Sequence, residues 1–181
     1  DPSPVKRWGD YGDEGYWINE ARTNVLFDNY NIDDLNMSTF ASPFFYLLTN
    51  FSFKLFGVSF FSARLIPIFS LWIILVMMYS TLKQYIGENK SLFSIFIFGS
   101  LHELIMYCKW ATPIITESAF LFGILFFYSK RKLGNISKLF SGLSFSLAVL
   151  TKITSFLFIP SLIIFFLIEL QLGKMKIKDM I

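Results

Sequence analysis

The chain has 181 residues, a net charge of +3 and a mean hydropathy of +0.55; over half of it is hydrophobic and Phe alone occurs 23 times. That much apolar surface exceeds what a soluble domain of this size hides, so an ordinary globular domain is excluded. The basic balance does not mark a nucleic-acid binder either. Residues 1–34 carry eight acids against three bases, a balance of −5, and the remaining +8 is scattered among apolar runs.

The chain opens on Asp1-Pro2, with no Met and no basic, apolar leader, and its last basic stretch (Lys174, Lys176, Lys178) reads as a loop. The expectation is a fragment that lacks an upstream transmembrane helix and a C-terminal portion. Cys108 is the single cysteine, so no internal disulfide can form.

The first patterned stretch is Gly12-Asp13-Glu14-Gly15-Tyr16-Trp17, followed by Asn19, Glu20, Ala21 and Arg22. Adjacent carboxylates can serve as a general base or hold a divalent cation. Glycines on both sides let a backbone turn tightly near a ligand. A solvated acidic loop is the plainer alternative, but the dense Tyr, Trp and Gly surroundings are unlike one. Residues 1–64 are expected to form an acidic loop carrying an amphipathic helix at 43–57. There Phe44, Leu47, Leu48, Phe51 and Leu55 recur at three- and four-residue spacing, with Pro43 suited to the first turn and Gly57 to the C-cap. Too short and too polar to cross a bilayer, this stretch is expected to lie along the membrane surface.

Five apolar runs follow, at about 65–82, 92–108, 114–128, 136–150 and 153–170. Pro67 is expected in the first turn of its span, where a missing N–H does no harm. His102 and Glu103 interrupt the second run. The fold class is therefore all-α, a polytopic integral membrane helical bundle whose first loop carries a juxtamembrane amphipathic helix. Lys83 and Lys90, then Lys130, Arg131, Lys132 and Lys138, then Lys174, Lys176 and Lys178 fall in alternate loops. The positive-inside rule puts those loops in the cytoplasm and residues 1–64, the 108–113 turn and Thr151-Lys152 on the other face.

Four further features bear on chemistry. Glu117 sits just inside an apolar run, where a carboxylate is costly unless it meets a partner or a polar cavity. The plain alternative is an ion pair with Lys109 or Lys152. His102 reads as a packing residue, and Glu103 is left open; with no second His there is no typical zinc site. Lys152 either binds a phosphate or anchors at the interface by snorkelling. Asn36-Met37-Ser38 and Asn50-Phe51-Ser52 match the glycosylation sequon, a pattern that chance produces often.

In order, GDEGYWINEAR, SPFFYLL, LFGVSFFSARL, Pro113-x-x-x-Glu117 and LAVLTK resemble the ArnT and protein-mannosyltransferase-like glycosyltransferases of the GT-C fold, glycosyltransferase family 39. The resemblance covers nearly the whole chain. It implies a multi-pass enzyme of the bacterial or archaeal cytoplasmic membrane. Such an enzyme moves a sugar from a polyprenyl-phosphate donor to a lipid, glycan or protein acceptor on the outer face. It implies Asp13 as the catalytic base with Glu14 beside it, and matches Glu117 to the carboxylate after the third helix. Tyr16, Arg22, Arg64, Lys109, Glu117 and Lys152 are the candidate substrate-binding residues. No cofactor is assigned, although a divalent metal on Asp13, Glu14 and Glu117 is an option. Some relatives carry Glu-Lys before the Pro of the amphipathic helix; here Ala41-Ser42 stands there, a departure that argues against an ArnT-type phosphate contact and an aminoarabinose specificity. The competing classes are a non-enzymatic transporter and a polysaccharide flippase or polymerase subunit.

Overall fold

The computed structural model describes residues 12–28, 38–130 and 134–171. Every element among them is helical: α1 (Gly12–Phe27), α2 (Ser38–Ala41), α3 (Pro43–Phe56), α4 (Phe60–Ile86), α5 (Glu88–Gly99), α6 (His102–Cys108), α7 (Pro113–Ser129), α8 (Asn135–Thr151), a 3-10 turn (Ile153–Phe158) and α9 (Ile159–Gln171). The Gly-Asp-Glu-Gly stretch is the first turn of α1 and not a tight loop. Gly15 is helical and is absent from the glycines with positive φ, which are Gly57, Gly87 and Gly134.

α3 begins at Pro43 and stops at Gly57, whose φ of 79° is one that glycine adopts without strain. Its exposed face carries Leu47, Phe51 and Leu55, while Thr49, Asn50, Ser52, Phe45 and Phe53 are buried against α1 and α4. That distribution reverses what water selects: the apolar side faces out and much of the polar side faces in. Asn50 is 9% exposed and its side chain is held by Asn24, so this sequon is closed to glycosylation. The Asn36 sequon lies outside the described residues.

α4 is the longest element because nothing stops it. Ser59 caps it reciprocally: the Ser62 N–H donates to Ser59 Oγ at 3.1 Å and the Ser59 N–H to Ser62 Oγ at 3.2 Å. Its 27 residues run about 40 Å, enough to cross a hydrocarbon core of roughly 30 Å. Starting at Phe60 makes Pro67 an interior residue rather than a first-turn one, so the Ala63 carbonyl loses its helical donor there. The expected span at 92–108 is broken. α5 and α6 meet at 63° around Ser100-Leu101, just where His102 and Glu103 enter, and both of those side chains are exposed. α7 and the 153–165 segment are apolar but shorter than α4.

The bundle is tightest between α7 and α8, where small residues admit close approach. A Cβ on Gly123 would come within 2.9 Å of Ser144 Oγ. Ser141 Oγ donates to the Ile124 carbonyl at 3.4 Å, and Ser137 Oγ donates to that of Phe127. Across α4 and α7, Ser70 Oγ donates to Thr116 Oγ1 at 3.0 Å. One core cluster (Ile18, Ala21, Phe45, Tyr46, Phe53, Ala63, Ala111) joins α1 to the head of the bundle, and a second (Ile74, Cys108, Ile115, Ala119) lies deeper.

Candidate active site

The head of the bundle is where α4 and α7 begin, α6 ends and the 3-10 turn starts. α1 is fastened there by its polar residues. Glu14 is 2% exposed, and its carboxylate receives both arms of one guanidinium: Arg64 Nε donates to Oε1 at 2.7 Å and Nη2 to Oε2 at 2.9 Å. Oε1 also accepts the Ala111 N–H at 2.9 Å. A buried carboxylate with this donor set is stable only because the bidentate pair and the amide replace its lost hydration. Glu14 thereby ties α1 to the second turn of α4 and to the turn before α7. Two more ties follow along α1. Glu20 Oε2 accepts the Thr39 N–H at 2.7 Å, and Asn24 Oδ1 accepts from Asn50 Nδ2 at 2.7 Å.

Asp13 lies in the first turn of α1, one residue before the Glu14 anchor. Tyr16 packs edge-on against Trp17, ring centroids 5.1 Å apart, and Arg22 is partly buried two turns further along the helix. Neither lines the cleft that brings two other expected residues together. That cleft, of about 440 Å³, has Arg64, Lys109 and Trp110 at its rim and Ile68, Leu71, Ile105 and Cys108 as its apolar wall. Lys109 caps α6 through its backbone, and its side chain is exposed. Arg64 also lies over the Phe60 ring, 5.0 Å from its centroid.

Glu117, in the second turn of α7, is 7% exposed. It pairs with neither Lys109 nor Lys152. Instead its Oε1 accepts from Ser155 Oγ at 2.7 Å and Thr154 Oγ1 at 3.1 Å. Both hydroxyls belong to the 3-10 turn that follows Lys152. Among the described residues no cation reaches Glu117, and no group of three or more His, Cys, Asp or Glu gathers around one point. Both Glu14 oxygens are already engaged, which leaves that residue poorly suited to a metal. Sequence reasoning missed Ala111, Thr154 and Ser155. An amide hydrogen leaves no trace in a sequence, and two hydroxyl residues after Lys152 look like loop composition.

Helices with outward apolar faces, a span of about 40 Å and a polar helix bolted to one end describe a membrane helical bundle. Residues 41–181 match the family profile described as dolichyl-phosphate-mannose-protein mannosyltransferase. The chain belongs to that family of membrane-integral glycosyltransferases of the GT-C type. The match begins after the acidic helix, so Asp13, Glu14, Tyr16 and Arg22 lie outside it. No curated protein and no solved structure matches the chain.

Proposed function

We propose that the protein moves a sugar from a polyprenyl-phosphate donor to a lipid, glycan or protein hydroxyl at the head of the bundle, on the extracytoplasmic face. The observation that carries this reading is the fastening of α1 by Glu14 to Arg64 and the Ala111 amide. A solvated acidic loop has no need of a carboxylate that is 2% exposed; a helix that must hold a neighbouring acid in register does. The opposite end of the bundle bears Lys83, Lys90, Lys130 and Lys138, which favours the cytoplasm for that end.

Asp13 is the general base in this reading. It takes the proton of the acceptor hydroxyl as that oxygen bonds to the anomeric carbon. On the opposite face the bond from that carbon to the phosphate oxygen breaks, and the lipid phosphate leaves with the electron pair. The anomeric configuration inverts. The transition state resembles an oxocarbenium ion, so what the protein must supply is a base on one side and positive charge on the other. Lys152, Lys109 and Arg64 are the groups this reading assigns to the departing phosphate. Glu14 is a positioning residue in this reading, because both of its oxygens are engaged by Arg64 and the Ala111 N–H. Tyr16 and Arg22 are the substrate contacts that this reading assigns to the helix of Asp13.

The full-length protein, in membranes supplied with radiolabelled polyprenyl-phosphate sugars, should transfer label to an endogenous acceptor, and nucleotide sugars should not replace the lipid donor. Transfer from a nucleotide sugar in membranes stripped of polyprenyl phosphate would overturn the donor class. No transfer from any lipid donor would overturn the transferase reading itself.

A further inference from the structure

Glu117, like Glu14, is a buried carboxylate at the head of the bundle, but its arrangement differs. No cation accompanies it among the described residues. Both of its donors are neutral hydroxyls, and both fall on the same oxygen. An acid kept in an apolar helix under those terms is costly, and a Leu or Met of similar size would pack there without that cost.

What the two hydroxyls control is the turn after α8. Lys152 leaves the helix in extended geometry, φ −158° and ψ 125°, with its N–H still on the Ala148 carbonyl at 2.9 Å. Its carbonyl accepts the Ser155 N–H at 3.0 Å. Ser155, itself fully buried, is therefore gripped twice: by its N–H on Lys152 and by its hydroxyl on Glu117. Moving the Ser155 hydroxyl moves the Lys152 peptide. Thr154, exposed on the same turn, adds a weaker second grip. Lys152 is half-buried, and no carboxylate pairs with it among the described residues.

We propose that Glu117 is a positioning residue that acts through Ser155 and Thr154 to set Lys152 toward the phosphate of the lipid donor. The proposal rests on the reading of Lys152 as a phosphate contact given above. It makes the Glu117–Ser155 pair the means by which α7 dictates where the cation of the α8 turn sits. Arg64, by contrast, is held directly by the Glu14 carboxylate of α1.

The test is equilibrium binding of tritiated farnesyl phosphate to the purified full-length protein in detergent, with farnesol as the uncharged control. Lys152→Ala should weaken farnesyl phosphate about tenfold and leave farnesol unchanged. Glu117→Ala should weaken farnesyl phosphate by a similar factor, and the double variant should bind no worse than Lys152→Ala alone, because the two act in series. Glu117→Gln keeps an acceptor oxygen for both hydroxyls and should stay within about threefold of wild type. Ser155→Ala should reproduce part of the Glu117→Ala loss, and it carries the test should Glu117→Ala fail to give a monodisperse protein. Full additivity of the two alanine variants would overturn the positioning role, since Glu117 would then act on the ligand by itself. So would Glu117→Gln binding as poorly as Glu117→Ala, or wild-type binding by Glu117→Ala or by Ser155→Ala. Wild-type binding by Lys152→Ala would instead remove the phosphate contact on which the proposal rests, a result distinguishable from the others.

Discussion

The two ends of the bundle each carry an ion pair, and the pairs are unlike. At the head, Glu14 and Arg64 are joined at 2.7 Å with the carboxylate side chain 1% exposed, and a backbone amide completes the arrangement. At the far end, Lys83 and Glu88 flank the Gly87 turn at 3.1 Å with side chains 47% and 59% exposed. Water can replace either partner of the second pair and neither oxygen of the first. The head is therefore built to hold a geometry, whereas the far end is a solvated turn closed by a glycine at φ 81°.

The comparison can be broken at its strongest point first. Glu14→Ala takes the bidentate carboxylate from Arg64 and the acceptor from the Ala111 N–H. It should cost about 3–5 kcal/mol, read as a fall in the melting temperature of the full-length protein in detergent. Gly123→Val tests whether rigidity extends down from the head. Its first added carbon meets Ser144 at 2.9 Å, and overpacking of this kind costs about 1–3 kcal/mol in the same assay. Asn50→Ala leaves Asn24 buried without its partner, for about 1–2 kcal/mol. Glu88→Gln at the far end should leave the melting temperature unchanged within error, since exposed pairs contribute little. A melting shift for Glu88→Gln as large as that for Glu14→Ala would erase the distinction between the two ends.

Much of the fold was legible because apolar runs and punctuation residues act locally. Pro43 and Gly57 bracket α3 as the capping rules require, and the runs at 114–128 and 136–150 lie within a residue of α7 and α8. Where tertiary contacts decide, the reading went astray. Flanking glycines suggested a turn around Asp13 and Glu14, but the burial of Glu14 on Arg64 and of Ile18 and Ala21 in the core pulls that stretch into a helix. The reciprocal cap at Ser59 extends α4 seven residues upstream of Pro67, a signal visible only once Ser62 is seen to answer it. At the site, the sequence marked Glu117 as costly and offered an ion pair with Lys109 or Lys152 as the plain alternative to a functional role. Its true partners are the Thr154 and Ser155 hydroxyls, 37 and 38 residues away, a pairing that spacing alone does not reveal.

Sugar transfer by the Asp13→Asn variant of the full-length protein, measured from polyprenyl-phosphate donor in membranes beside wild type, bears most directly on the idea that the head of the bundle is where chemistry happens. Asn keeps the size and removes the base. The rate should fall on the order of 10²–10⁴-fold with expression and melting temperature unchanged. A rate within threefold of wild type would contradict the assignment of Asp13 as the base and leave the fastened acidic helix without its proposed purpose.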